Sequence, residues 1–139
     1  MIDKITPEER SKNMRKIRSK DTRPEMKVRR LVYSLGYRYR LHPKDLPGRP
    51  DLVFKGRRKV IFVNGCFWHQ HNDPSCKISR IPKSRPEYWL PKLQRNVERD
   101  KDNRAKLAVD GWKTLVIWEC QVKNIEEISE EIVFFLDKA

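Results

Sequence analysis

The 139-residue sequence contains no run of the roughly 18 to 20 apolar residues that a membrane-spanning helix requires. Its first residues, MIDKITPEERSKNMRK, lack the apolar core of a secretion signal. Acidic residues are few beside basic ones, 19 against 32, and the net charge of +13 favours a polyanionic partner. Four Trp, four Tyr and five Phe argue against a disordered basic tail. We therefore expect one folded, cytoplasmic domain with a single core.

Cysteine and histidine are rare, with three of each, yet most of them lie close together. Within eleven residues stand Cys66, His69, His71 and Cys76, and Cys120 follows a predicted strand. An odd number of thiols cannot pair completely within the chain, and thiolate and imidazole ligands favour zinc. Cys66, His71, Cys76 and Cys120 would close a four-ligand structural site and leave His69 free. The alternatives are unrelated buried thiols with surface histidines, or a Cys66–Cys76 disulfide.

The basic charge is concentrated near the N-terminus, since residues 1–40 carry +8 of the net charge. The sequence TPEE at residues 6–9 has helix-capping chemistry and predicts a short helix to about Arg18. Only Met14 and Ile17 are apolar there, so this helix can bury little surface. We interpret residues 1–20 as an arm that orders on a partner; the alternative is a frayed end.

Capping patterns and apolar periodicity predict the remaining elements. TRPE at 22–25 opens a helix that Gly36 ends, and SRPE at 84–87 opens a long helix to Ala108. Residues 37–41 are a candidate first strand, and residues 51–54 and 59–64 form a hairpin around a turn at 56–58. A further strand covers 113–118, a final helix covers 125–136, and 65–83 is an ordered functional loop. The sequence thus predicts an α/β fold whose central mixed sheet, with 59–64 at its centre, is flanked by helices.

One acid stands where nucleases often place a metal ligand. Asp51 begins the hairpin after Pro50, and carboxylates at strand edges are common Mg²⁺ ligands in enzymes that cleave phosphodiesters. The alternative is that Asp51 caps the turn. The second acid and lysine that restriction-type nucleases usually carry on the next strand are absent, because Val63 and Asn64 stand there. His69 is the nearest group that titrates near neutral pH and could transfer a proton.

Two further acids have structural alternatives. Glu25 fits the capping-box partner of Thr22 at the start of the first predicted helix. Asp100 lies on the apolar stripe of the long helix, where it would either pair with Arg104 one turn away or face a nearby metal cluster.

Three large aromatic residues surround the candidate metal loop. Phe67 and Trp68 lie in the loop, and Trp89 is in the first turn of the long helix. Apolar side chains inserted between base steps unstack DNA, and a basic surface around them would hold its backbone. The alternative is that Trp89 packs on the sheet and Phe67 covers the metal loop.

Taken together, these motifs resemble the very-short-patch repair endonucleases, the Vsr family. They are RSKNM at 10–14, LPGRPD at 46–51, GCFWH at 65–69 followed by His71, YWL at 88–90, NVERD at 96–100, GW at 111–112 and WEC at 118–120. The resemblance covers about residues 10–120. It implies a restriction-endonuclease-like fold and a Mg²⁺-dependent nick beside the thymine of a T:G mismatch, which arises when 5-methylcytosine deaminates.

The resemblance also implies catalytic roles. Asp51 would bind Mg²⁺ with help from the backbone carbonyl of Val63. His69 would handle the proton of the attacking water or of a metal-bound water, while Glu25 and Asp100 hold the hydrated metal cluster.

Structural zinc and DNA contacts are implied at other positions. The implied zinc ligands are Cys66, His71, Cys76 and Cys120. The implied DNA contacts are Phe67, Trp68, Trp89, Met14, Arg15 and Lys16. We expect duplex DNA with a T:G mismatch as the partner, mismatch-repair proteins as further candidate partners, a monomer, and a place in the bacterial cytoplasm with the nucleoid.

The sequence departs from the family pattern at two places. A polar residue is familiar where Val63 stands and a histidine where Asn64 stands, and the loop from His71 to Cys76 is longer. Two other functions would explain part of the pattern. One is a zinc-stabilised nucleic-acid-binding module without catalysis, and the other is a zinc hydrolase in which His69 is a ligand.

Overall fold

A computed structural model describes residues 22–138 of the chain, so the predicted helix at 6–18 lies outside the described residues. Helix α1 (Arg23–Ser34) begins after Thr22, whose hydroxyl accepts a 3.4 Å hydrogen bond from the Glu25 N–H. The helix ends at Ser34 with Leu35 as its C-cap, and Gly36 follows with a left-handed φ of +98° that glycine tolerates without a steric cost. Both ends of α1 therefore agree with the sequence-based prediction.

Four strands form one mixed sheet in the order β1-β2-β3-β4. Their bounds are β1 (Arg40–Leu41), β2 (Leu52–Phe54), β3 (Lys59–Asn64) and β4 (Lys113–Trp118). The pairs β1–β2 and β2–β3 are antiparallel and β3–β4 is parallel. The prediction of a mixed sheet with β3 inside it is confirmed, although β1 is shorter than the predicted 37–41.

The turn of the β2–β3 hairpin differs in detail from the predicted glycine turn. A single 3₁₀ turn spans Lys55–Arg57, and Arg58, not Gly56, has the left-handed φ of 54°. The hairpin is preserved because one residue with positive φ is enough to return the chain.

Helix α2 (Pro86–Val109) carries the chain from β3 across to β4. The predicted capping box at Ser84 is wrong. Arg85 occupies the N-cap position in a left-handed conformation, φ 57°, and its carbonyl accepts hydrogen bonds from the N–H groups of Tyr88 and Trp89. Ser84 therefore lies one residue outside the cap, and Pro86 takes the first helical position, where its missing N–H costs nothing.

Two hydrophobic clusters cover opposite faces of the sheet. Alternate residues of β2 and β3 enter different clusters: Leu52 and Ile61 pack with α1 and with α3 (Ile125–Val133), while Val53 and Val60 pack with Leu107 of α2. This division follows from the two-residue period of a strand. The sheet is thus flanked by helices, as predicted. None of the helices within residues 22–138 has the length and apolar character needed to cross a bilayer.

Candidate active site and metal centre

Asp51 is held against the end of the neighbouring strand. Because β2 and β3 are antiparallel with Leu52 opposite Ile61, the residue that precedes β2 lies beside the carboxyl end of β3. There the Val63 N–H donates a 2.6 Å hydrogen bond to Asp51 Oδ2. The ring of Pro50 is fully buried, which fixes the backbone that enters β2. The position of the Asp51 carboxylate is therefore set by the hydrogen bond from β3 and by the buried proline that precedes Asp51.

A second buried carboxylate lies next to Asp51. Glu25 projects from α1 with only 2% of its surface exposed and contacts Arg29 of the following turn. Burial raises the pKa of Asp51 to about 8; the Val63 hydrogen bond opposes this shift and the charge of Glu25 reinforces it. Thus the Glu25 N–H donates to the capping hydroxyl of Thr22, while the Glu25 carboxylate lies close to Asp51.

His42 completes this group of side chains, although the sequence analysis did not single it out. Its Nε2 lies 2.8 Å from Glu25 Oε2 and 3.6 Å from Asp51 Oδ1. One ligand atom from each of the three residues lies within 4.8 Å of the others. The donor set fits a divalent cation, because neighbouring ligands of a six-coordinate ion are about 3 Å apart. No local signal marks His42, which stands in a His-Pro loop.

A second pair of functional side chains joins the metal loop to α2. His69 Nδ1 lies 2.5 Å from Asp100 Oδ2, so Asp100 pairs with His69 and not with Arg104. The interaction leaves the other ring nitrogen of His69 for proton exchange. Within residues 22–138, no hydrogen bond or ion pair joins this pair to Asp51. The structure therefore contains two separate groups of side chains. One is the acidic group around Asp51, and the other is the His69–Asp100 pair, which has the chemistry to transfer a proton.

Four sulfur and nitrogen ligands converge where the loop after β3 meets the end of β4. Cys66, His71, Cys76 and Cys120 offer ligand atoms that all lie within 4.8 Å of one another. His71 Nδ1 is 3.8 Å from Cys66 Sγ and 3.3 Å from Cys120 Sγ. Ligand atoms at about 2.3 Å from a tetrahedral zinc ion are about 3.8 Å apart, so the donor set fits zinc. His69 is not in the group, which removes the zinc-hydrolase alternative.

The thiols of this cluster are free, so the structure contradicts the alternative of a Cys66–Cys76 disulfide. Burial raises the pKa of Cys66 to about 12 and also raises the pKa of Cys120. Burial acts in the same direction on Cys76, but hydrogen bonds from His71 and Ser79 outweigh it and lower the pKa of Cys76 to about 6. Cys66 and Cys120 therefore resist ionisation, and a bound cation would favour their thiolate forms.

Residues outside the four ligands hold the cluster in shape. The ring of Trp118 stacks on His71 with centroids 4.3 Å apart. The Cys66 N–H donates to the carboxylate of Glu119, and the Cys120 N–H donates to Cys66 Sγ. Such contacts would orient the four side chains for a metal ion.

The three candidate wedge residues form one partly exposed aromatic cluster. Phe67 makes edge contacts with Trp68 at 5.2 Å and with Trp89 at 5.3 Å, and Tyr88 extends the cluster. Among the described residues, neither hydrophobic cluster of the sheet contains these rings, so the alternative that Trp89 packs on the sheet is wrong. The ammonium group of Lys92 lies 5.6 Å from the Trp68 ring. An aromatic surface edged by a cation can stack bases and contact phosphates.

Comparison with known proteins identifies one family. The sequence model of the family described as "DNA mismatch endonuclease Vsr" matches residues 2–76. The chain is 48% identical over 137 residues to "Type II nicking enzyme V.XorIIP" of Xanthomonas oryzae pv. oryzae, across 99% of this chain and 98% of that protein. It is 42% identical over 129 residues to "DNA mismatch endonuclease Vsr" of Escherichia coli, across 93% and 79% of the two chains.

The chain belongs to the Vsr family. It is therefore a DNA endonuclease, and the alternative of a non-catalytic binding module is wrong. The two positions that depart from the Vsr pattern lie at the site. Val63 contributes its N–H to Asp51, and Asn64 is buried in a small cavity that it lines together with Asp100 and Arg104. Among the expected DNA contacts, Met14, Arg15 and Lys16 lie outside the described residues.

Proposed function

We propose that this Vsr-family endonuclease nicks one strand of duplex DNA beside the thymine of a T:G mismatch, by a hydrolysis that depends on Mg²⁺. The observation that carries the catalytic part is the placement of Asp51, whose carboxylate is aligned by the Val63 N–H and shares a buried position with Glu25. Two carboxylates at such a position are stable together only when a proton or a cation lies between them.

The oxygen-rich donor set supports Mg²⁺ as the cation. Asp51 would bind it directly with the carbonyl of Val63, and Glu25 would hold its water shell. When bound, the cation supplies positive charge that stabilises the negative charge developing on the phosphate. The protein's part is to keep both carboxylates in place, through the backbone of β3 and through Arg29 on α1.

His69 and Asp100 would perform the proton transfer. Attack by water on phosphorus forms one P–O bond and breaks another, so the water must lose a proton and the departing sugar oxygen must gain one. Asp100 fixes the imidazole through Nδ1, which leaves Nε2 to accept or deliver that proton. Asn64 cannot transfer a proton as a histidine can, and His71 belongs to the Cys/His cluster, so His69 would carry this function alone among these three residues.

The aromatic cluster would recognise the mismatch. Phe67, Trp68 and Trp89 lie on the surface at the N-terminal end of α2, where they would enter the duplex between base steps. Opening a base step at a mismatch requires less free energy than opening a paired step. Met14 would enter from the opposite groove, and Arg15 and Lys16 would contact phosphates, as the N-terminal charge favours.

The Cys/His cluster would bind one structural zinc ion. It ties the loop that carries Phe67, Trp68 and His69 to the end of β4, so the ion would fix the catalytic and recognition groups relative to the sheet. We further propose that residues 1–139 form one domain, in which residues 1–20 are the DNA-contacting arm. The protein would act as a cytoplasmic monomer at the nucleoid. Mismatch-repair proteins would be its partners.

A strand-specific nicking assay tests the proposal. Two otherwise identical duplexes, one with a T:G mismatch and one with a paired T:A at the same position, are incubated with the zinc-loaded protein, with Mg²⁺ or without added divalent ion. We expect a single nick beside the thymine, only in the T:G duplex and only with Mg²⁺. Equal cleavage of the paired duplex would contradict the mismatch specificity, and cleavage without a divalent ion would contradict the metal dependence.

A further inference from the structure

The loop after β1 places an imidazole against the acidic pair of the site. His42 Nε2 lies 2.8 Å from Glu25 Oε2 and 3.6 Å from Asp51 Oδ1. This nitrogen is buried, and it makes no aligned hydrogen bond with any residue between 22 and 138. A buried imidazole nitrogen beside two carboxylate oxygens requires a proton or a bound cation between them.

The backbone turns sharply at His42. His42 has a φ of 43°, a left-handed conformation that histidine adopts more readily than most residues with a Cβ atom. The conformation turns the chain between β1 and the loop that leads to Asp51, and it brings the ring to the acids.

We propose that His42 is a ligand of the divalent cation, together with Asp51 and Glu25. The inference rests on the proposed function, because it takes the cation to bind at Asp51. Mg²⁺ prefers oxygen ligands and keeps its waters, whereas first-row transition ions accept imidazole nitrogen more readily. The site of this chain therefore binds Mn²⁺ more tightly than Mg²⁺, and His42 accounts for part of that preference.

The competing role for His42 is a plain ion pair. A protonated imidazole would then neutralise Glu25 and Asp51 in place of a cation and would be displaced when the cation binds. The two roles make opposite predictions for the removal of the ring. Loss of a ligand weakens binding of Mn²⁺, whereas loss of a competing positive charge strengthens it.

The test measures metal binding to the full-length, zinc-loaded protein without DNA. Binding of Mn²⁺ is measured by titration, because the electron paramagnetic resonance signal of the free ion disappears when the ion binds. The affinity for Mg²⁺ is measured by competition with Mn²⁺. Electron spin-echo modulation reports whether a ¹⁴N atom is bonded to Mn²⁺. We expect ¹⁴N modulation in the wild type. His42→Gln should abolish it and weaken Mn²⁺ binding at least about tenfold, with a smaller loss for Mg²⁺.

Lys44→Gln is the matched control, since it introduces the same side chain at an exposed position of the same loop. It should keep both the ¹⁴N modulation and the Mn²⁺ affinity. His42→Asn is a second variant whose side chain tolerates the left-handed backbone. Labelling the wild type with ¹⁵N-histidine, which must change the modulation, tests the inference without any substitution at position 42.

The outcomes separate the inference from the proposed function. If His42→Gln binds Mn²⁺ as tightly as the wild type or more tightly, or if the wild type shows no nitrogen coupling, the inference about His42 is wrong. If the inference about His42 fails in this way but Asp51→Asn abolishes Mn²⁺ binding, the proposed catalytic site still stands. If Asp51→Asn leaves Mn²⁺ binding unchanged, the cation lies elsewhere, and both the inference and the metal assignment fail.

Discussion

The His69 imidazole and the Asp100 carboxylate, 31 positions apart in the chain, meet at 2.5 Å and connect the metal loop to helix α2. The contact holds Nδ1 and leaves Nε2 for the proton transfer that we propose. Asp100→Asn should therefore slow nicking by about 10² to 10³-fold with little effect on DNA affinity, since general acid–base catalysis contributes about 10² to 10⁴-fold. Single-turnover nicking and equilibrium binding measure the two effects.

The matched control for this change is Asp102→Asn, which alters an exposed acid of the same helix. Its nicking rate should stay within about twofold of the wild-type rate, as is usual for a substitution on an exposed surface. Equal rates for Asp100→Asn and Asp102→Asn would contradict the assignment of Asp100 as the residue that orients His69.

Asp51→Asn should abolish nicking and leave mismatch binding largely intact. The carboxylate stabilises charge mainly in the transition state, so its loss affects the rate more than the affinity. Nicking is measured under single-turnover conditions with Asp45→Asn, an exposed acid of the preceding loop, as the control. A variant that retains more than about a tenth of the wild-type rate has lost only ~1.4 kcal/mol of barrier stabilisation, too little for a metal ligand.

The same substitution should stabilise the zinc-loaded, magnesium-free protein. Because the folded-state pKa of Asp51 is raised to about 8, the folded protein keeps a proton that the unfolded chain releases. The wild type therefore loses stability as pH rises from about 4 to 8, by up to about 1.4 kcal/mol per pH unit. The amide of the Asp51→Asn variant cannot ionise, so the advantage of the variant in urea unfolding should widen from pH 5 to pH 8.

A constant difference between the two proteins over that pH range would contradict the raised pKa of Asp51. Saturating Mg²⁺ should reduce the difference, since a bound cation offsets the repulsion between Asp51 and Glu25 in the wild type only.

Cys120→Ala should remove the bound zinc ion and lower the unfolding temperature. A structural zinc ion contributes its binding free energy to folding, and three ligands hold it far less tightly than four. Metal analysis of the purified protein and thermal unfolding measure both effects. Asn72→Ala, an exposed change within the same loop, is the control and should keep one zinc ion per chain. Native protein that contains no zinc would contradict the site.

Trp68→Ala and Trp89→Ala should weaken discrimination between T:G and paired DNA more than they weaken total binding. The rings act only where a base step opens, and that costs a few kcal/mol less at a mismatch. Phe134→Ala, which removes a ring 60% exposed at the C-terminal end of α3, is the control and should change neither affinity. Equal losses on both duplexes, with folding unchanged, would show that the tryptophans are not mismatch wedges.

Replacing Arg15 and Lys16 with alanine should have the reverse effect. Phosphate contacts carry no direct sequence information, so affinity for both duplexes should fall together. The salt dependence of binding should also become shallower, by about one unit of the logarithmic slope for each lost contact. Affinities measured across a salt series test this. A loss confined to the T:G duplex would contradict a phosphate-binding arm.

The elements of the fold follow from local sequence. Capping at Thr22, the positive φ of Gly36 and the alternation of apolar residues in β2 and β3 act over a few residues, and each can be recognised without knowing the rest of the chain. The same holds for the grouping of Cys66, His71 and Cys76, which the loop keeps close in sequence. Arg85 shows the limit, since the choice of a left-handed cap over Ser84 depends on how the loop enters α2.

Only the tertiary structure decided how the acids and histidines combine. Glu25, on a helix, looked like a capping residue, and His42, in a loop, carried no signal at all; they meet Asp51 because α1 and the loop after β1 both pack at the end of the sheet. Likewise Asp100 had two local interpretations until α2 crossed the sheet and brought it to His69. Contacts between distant segments depend on packing of the whole core, which no short pattern encodes.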